Sequence, residues 1–253
     1  ALLRDALAST TLGCFGARES TPALAPVQLP DLSGAALQVQ QSIRDRYSKM
    51  EQRTGSASSA AERADAYGEL GMVLLGAQYF DAAATALADA RALAPADVRW
   101  SYYLAHVHRF QHDLGGAATL FRDTLKLQPN NIAALVWLGE MELSQGHADP
   151  ARQAFERATA LDPQSAAARY GLGRVALGQR DFTRAVEHLE AAARLAPDAR
   201  RIEYPLGQAY QGLGDSGQAQ AHFARRGEGE PLPPDPLMAQ VAGERGAWLG
   251  GFN

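Results

Sequence analysis

The sequence has a single cysteine, Cys14, among 253 residues. No disulfide can form within the chain, so disulfide usage says nothing about its compartment. Lysine is nearly missing as well: Lys49 and Lys126 are the only two, and the other basic residues are arginines. Lysine and arginine number 24 against 28 acidic residues, a net charge of −4. That balance argues against a nucleic-acid binder, which neutralises phosphates with a basic excess. No stretch approaches the ~20 consecutive apolar residues of a membrane-spanning helix. There is also no G-x-S-x-G, G-x-x-x-x-G-K-[ST], C-x-x-C or H-E-x-x-H, so the common motifs for an activated nucleophile, a phosphate loop or a zinc helix are missing. The glycines of GLGRVALG (171–178) fall inside a helical pattern and not after a strand, which excludes a nucleotide loop there.

Hydrophobic residues make up 46% and charged residues 21%, a composition that folds. Its organisation is periodic. Leu-x-Pro occurs at Leu93/Pro95, Leu127/Pro129, Leu161/Pro163 and Leu195/Pro197, each 34 residues from the last, and one more step reaches Pro231. A fixed period of this length marks stacked repeats. Between the marks, apolar residues recur about every 3.6 positions, the period of a helix. Each unit is also broken near its middle, at GAQYFD (76–81), HDLGG (112–116), QGHADP (145–150), GQRDF (178–182) and GLGDSG (212–217). Gly, Asp and Pro end one helix and cap the next, so the unit is helix–turn–helix. In HADP, Asp149 is expected as the cap, with Pro150 in the first turn.

The pattern resembles the tetratricopeptide repeat, with units at 64–97, 98–131, 132–165, 166–199 and 200–233. Its Leu-Gly pair falls at Leu70-Gly71, Leu104-Ala105, Leu138-Gly139, Leu172-Gly173 and Leu206-Gly207. The small residue opening the second helix is Ala83, Ala117, Ala151, Ala185 or Ala219, followed by Leu87, Phe121, Phe155, Leu189 or Phe223. The resemblance implies an all-α fold: a right-handed α-solenoid of antiparallel helix pairs with capping helices at its ends. Gly or Ala after the leucine lets the paired helices approach closely, and the closing proline stops the second helix.

Flanking segments follow from their patterns. Residues 1–32 read as an extended or disordered arm. Within it ALASTTLGC (6–14) is similar to a lipoprotein cleavage site, which makes Cys14 a candidate for lipidation and favours the cell envelope over the cytoplasm. Thr11 stands where such sites carry leucine, and Arg4 and Asp5 interrupt the apolar core. Residues 33–63 supply an N-terminal capping helix, with Leu37, Val39, Ile43, Tyr47 and Met50 as its apolar face, and a linker. Residues 234–253 supply a short helix, begun by Asp235-Pro236, as a lid on the last unit, then a tail holding Trp248, Leu249 and Phe252. Pro205 disfavours helix by ~3 kcal/mol in an interior, so the first helix of the fifth unit is expected to start late.

In the family the first helix of each unit lines a concave groove. By that resemblance the groove holds Arg99, Tyr102, Tyr103, His106 and Arg109, then Val136, Trp137 and Glu140, then Tyr170 and Arg174, then Arg201, Tyr204, Gln208 and Gln211. Aromatic residues with arginines suit a protein or peptide partner, and the arginines favour an acidic segment. The asparagine-and-lysine carboxylate clamp of chaperone-binding members has no match here. The histidines of HVHRFQH (106–112) include one i,i+4 pair, His108 and His112, but no third donor beside them, so no metal is expected. No cofactor and no catalytic residue is expected either. The reading is a non-catalytic scaffold or adaptor, an assembly factor at the envelope. The alternatives are a structural subunit of a larger complex, or the regulatory region of an enzyme whose catalytic domain lies elsewhere.

Overall fold

The protein is described by a computed structural model covering residues 23–54 and 57–249, with side chains to residue 243. Among the described residues there are α-helices and one 3₁₀ turn, and no strand. After α1 (Leu37–Thr54) come five antiparallel pairs: α2 (Ala60–Gly76) with α3 (Phe80–Leu93), α4 (Val98–Phe110) with α5 (Leu114–Leu127), α6 (Ile132–Ser144) with α7 (Ala148–Leu161), α8 (Ala166–Gly178) with α9 (Phe182–Leu195), and α10 (Glu203–Gly212) with α11 (Ser216–Arg225). A last helix, α12 (Pro236–Leu249), closes the described chain.

Each break has a local cause. The second helices end at Leu93, Leu127, Leu161 and Leu195, and the next residue swings to an extended φ of −130° to −136° because a proline follows one position later. Side chains then start the next helices: Asp97, Asn131 and Ser165 accept the backbone N–H of Arg99, Ala134 and Ala168, while Asp113, Asp181 and Asp215 do the same within the units. Asp149 does not cap α7, contrary to expectation. The helix begins one residue earlier, at Ala148, so Asp149 lies inside its first turn and pairs with Arg152 at 2.9 Å. In the fifth unit a 3₁₀ turn at Arg200–Ile202 precedes α10, which puts Pro205 in the first turn, where its missing N–H leaves no bond unmade.

Consecutive units interlock through rings and missing side chains. A Cβ on Gly139 would come within 2.6 Å of the Phe155 ring, and one on Gly171, in the following unit, within 2.4 Å. Phe155 is fully buried and therefore holds both the hairpin α6–α7 and its junction to α8. First helices of neighbouring units touch (α2 with α4, α6 with α8, α8 with α10), while the second helices have no comparable mutual contact. The stack is tighter on the first-helix side, which makes that side the inner, concave one.

At the N-terminal end α1 packs on α2 with Ile43 and Met50 buried. Leu37, expected on that apolar face, is 79% exposed because it is the first residue of α1. Residues 23–32 run extended beneath it, with Val27 and Leu32 buried and the Ala25 N–H donating to Asp89 Oδ1 at 3.0 Å. At the other end α11 stops at Arg225, four residues before the place that is a leucine in earlier units and is Gly229 here. The chain then turns back. Instead of lying on α11 as a lid, α12 packs on α2 and α4, far along the array. It also runs to Leu249, so Trp248 and Leu249 belong to the helix and not to the expected tail. The side chains of Trp248 and Leu249, and all of Phe252, lie outside the described residues.

One regularity has no counterpart in residue type. The turn inside every unit holds one residue in the left-handed region: Gln78 (φ 66°), His112 (61°), Gly146 (82°), Arg180 (61°) and Gly214 (83°), spaced 34 apart. A side chain there costs ~1–2 kcal/mol, partly offset because glycine loses more freedom on folding. Arg180→Gly is expected to stabilise the protein by about 0.5–1 kcal/mol, and Gly214→Ala to destabilise it by about 1 kcal/mol, both read from urea denaturation midpoints.

Candidate partner-binding groove

The first helices present their inner residues in two clusters. In the first, Tyr102, His106 and Phe121 meet edge to face, at 4.8 Å between Tyr102 and His106 and 5.2 Å between His106 and Phe121. Trp137 of α6 closes onto His106 at 5.3 Å, and the Arg109 guanidinium lies over both Phe110 (4.2 Å) and Trp137 (4.4 Å). Helix spacing explains the set: positions 102, 106 and 109 fall on one face of α4.

This cluster holds a carboxylate from the protein's own C-terminal segment. Asp235 Oδ2 accepts the Tyr102 hydroxyl at 2.5 Å and the Trp137 indole N–H at 3.1 Å, and Oδ1 accepts the Met238 N–H at 3.0 Å. Tyr103, on the same helix, donates toward α12, to Leu237 O (3.4 Å) or Gln240 Oε1 (3.2 Å). Burial, with the Asp235 charge, holds the Tyr102 hydroxyl far above its ordinary range, so it remains a donor; burial pushes Tyr103 up to about 12.

His106 is completely buried, and burial followed by the Arg109 charge drives its pKa well below the usual histidine value. Its Nδ1 accepts Arg109 Nε at 3.3 Å, which places the proton of the neutral ring on Nε2. That Nε2 is 3.7 Å from Asp235 Oδ2 and has no hydrogen-bond partner among the described residues.

The second cluster lies farther along. Arg174 Nη1 sits 2.8 and 2.6 Å from the two carboxylate oxygens of Glu140, and its guanidinium lies 5.3 Å from the Tyr170 ring centre. Burial raises the Glu140 pKa while Arg174 opposes the shift. Beyond this pair opens a cleft of about 690 Å³ lined by Tyr170, Arg174, Leu177, Phe182, Tyr204 and Gln208. Tyr204 is 52% exposed. Arg201 does not line the cleft and pairs with Glu230 at 3.1 Å. Arg99 stands apart from both clusters, bound to Asp97 and Asp65 at the α2–α4 edge. Val136 is buried between helices, and Gln211 lines the cleft.

The expected residues thus divide. Tyr102, Tyr103, His106, Arg109 and Trp137 are covered by residues of the same chain, whereas Tyr170, Arg174, Tyr204 and Gln208 border open space. Reading the helices alone missed Asp235, Leu237 and Gln240, because these residues come from beyond the repeats. The one hint was the run of prolines at 231–236, PLPPDP, at the end of the fifth unit. Among the described residues no group of three His, Cys, Asp or Glu side chains could hold a metal ion. His108 instead meets Asp113, at 2.7 Å. No described helix is long and apolar enough to cross a membrane. Cys14 lies outside the described residues.

The family profile described as tetratricopeptide repeat matches residues 69–132, 104–149 and 138–200, together more than half of the sequence. The chain belongs to the tetratricopeptide repeat family. No curated protein matches it significantly. Among solved structures, a MamA protein from Desulfovibrio magneticus RS-1 is 24% identical, with a TM-score of 0.61 over 64% of this chain and 92% of that one. YrrB, described as a TPR protein with an unusual peptide-binding site, is 16% identical, with a TM-score of 0.59 over 80% of this chain and 99% of that one. A chain of the Cut9–Hcn1 hetero-tetramer of APC/C is 17% identical, with a TM-score of 0.57 over 75% and 37%. These likenesses show a shared tetratricopeptide repeat fold.

The depressed His106 carries a pH dependence. The unfolded chain binds this proton near pH 6.5 and the folded protein only at lower pH, so stability falls as pH drops below about 6.5, by up to ~1.4 kcal/mol per unit. Between pH 7.5 and 5.5 the wild type is expected to lose about 1 kcal/mol more than His106→Gln in paired urea titrations. His188, also depressed by burial, adds a slope common to both proteins.

Proposed function

We propose that this protein is a non-catalytic adaptor whose inner groove holds an extended, acidic segment of a protein partner. One observation carries the reading: the first helices already grip a carboxylate from the C-terminal segment at Tyr102 and Trp137, and farther along the array they line an open cleft with Tyr170, Arg174, Tyr204 and Gln208. Aromatic and arginine side chains in a concave site are the usual anchors of binding energy. The acidic character of the segment rests on the Asp235 site, where fixed neutral donors already hold a carboxylate. YrrB, of the same fold, is described as having a peptide-binding site, which supports a groove of this kind.

Tyr204→Ala with Gln208→Ala tests the cleft, since both side chains border it and Tyr204 is largely exposed. Partner cross-linking to the double variant is expected to fall at least tenfold with helix content unchanged by circular dichroism, and undiminished cross-linking would exclude the cleft. Arg174→Ala is a poorer choice, because it leaves Glu140 buried without its cation, a loss of ~3–5 kcal/mol. The cell-envelope part of the proposal rests on ALASTTLGC alone. Its expected outcome is incorporation of labelled palmitate into the wild type and none into Cys14→Ser.

A further inference from the structure

The groove is partly filled by the protein itself, and the filling is chemically specific. Leaving α11, the chain bonds along the fifth unit, with the Arg201 N–H donating to Gly229 O at 3.1 Å. Gly229 has φ 86°, and a Cβ there would lie 2.9 Å from Asp198 O, so only glycine fits this turn. Residues 231–235 then run without helix past the turns at 162–166 and 195–199 until Asp235 reaches α4 and α6. Pro231 and Pro233 are buried while Leu232 and Pro234 are exposed, the alternation of a strand laid on a surface. Asp235 is next on the inward side, and its side chain is 11% exposed. Beyond it Val241 of α12 is buried near α2, beside an unfilled space of about 330 Å³ lined by Leu75, Phe80, Phe110 and Met238.

The receiving site has more capacity than Asp235 uses. Three donors converge on it: the Tyr102 hydroxyl, the Trp137 indole N–H and the His106 Nε2–H. Asp235 takes the first two. The third stays buried 3.7 Å away, without a partner among the described residues, a costly state for a polar group in an apolar setting. A carboxylate reaching about 1 Å deeper would meet all three, as a glutamate side chain with one more methylene can.

Resting on the reading of the groove as a peptide site, we infer that residues 229–241 are an internal stand-in for the partner, that Tyr102, Trp137 and His106 form a carboxylate receptor, and that the true partner is an extended, proline-flanked peptide whose Asp or Glu displaces Asp235. Tethering gives the stand-in an effective concentration in the millimolar range, so the N-terminal half of the groove is closed until a partner competes.

The test uses the full chain and a fluorescent peptide of residues 228–243. Asp235→Ala in the protein removes the internal competitor, and the peptide is expected to bind this variant at least tenfold more tightly than the wild type by anisotropy. A peptide carrying Asn at the position of Asp235 should bind at least tenfold more weakly, and one carrying Glu there at least as tightly. Equal binding to wild type and Asp235→Ala, or indifference to the Asn exchange, overturns the inference. Hydrogen exchange across 230–241 should quicken in Asp235→Ala; unchanged protection would show that Asp235 does not hold the segment. Light scattering that finds a wild-type dimer dissociated by Asp235→Ala would mean that the segment fills a second copy's groove, and would overturn the internal assignment. Failure of the peptide leaves the Tyr204 and Gln208 cleft standing as a partner site. Loss of the cleft with retained peptide binding removes the adaptor reading and keeps the receptor.

Discussion

A pair of amphipathic helices has two apolar faces and can hide only one against itself, so each hairpin is stable only when a neighbour covers the other. The contact that does this is a ring set where two glycines leave no side chain: Phe155 against Gly139 within its unit and Gly171 across the junction. That ring sets the spacing of α6 and α8 on the inner surface. Because the first helices of neighbouring units touch and the second helices do not comparably, side chains of the first helices converge. His106 of α4 and Trp137 of α6 meet there at 5.3 Å between ring centres.

Convergence creates an anion-accepting surface in a chain of net charge −4. It does so without lysine and, at Asp235, without a direct cation. The carboxylate there is met by a phenol and an indole, neutral donors fixed by packing, in surroundings dry enough to keep His106 uncharged. At Glu140 the opposite solution is used, a guanidinium at 2.6 Å. Neutral donors tolerate an empty site better than an unpaired buried charge would, which suits the half of the groove whose occupant can change.

Much of this was legible in the residue order. The 34-residue spacing of Leu-x-Pro, the small residues at Gly71, Gly139, Gly173 and Gly207, and the Asp, Asn and Ser caps are local features that act within a few residues of where they stand. They led directly to the hairpins. The inner positions of the first helices followed from helical spacing and the family pattern. What could not be read was where residues 229–241 go. Asp235-Pro236 was recognisable as a helix start, but its contacts with Tyr102 and Trp137 span 133 and 98 residues, and no local pattern encodes a partner so distant. The left-handed turn positions escaped for a different reason. Three of the five carry Gln, His or Arg, so residue type conceals a backbone state that stacking geometry imposes.

Asp235 does two jobs with its two oxygens. Oδ2 faces Tyr102 and Trp137, while Oδ1 accepts the Met238 N–H at the start of α12. A helix of 14 residues is marginal by itself in water, and its first turn depends on that bond. Drawing the carboxylate out of the groove therefore frays α12 from its beginning as it leaves the surface. Undocking of the carboxylate and loss of the helix cap are thus coupled through one side chain.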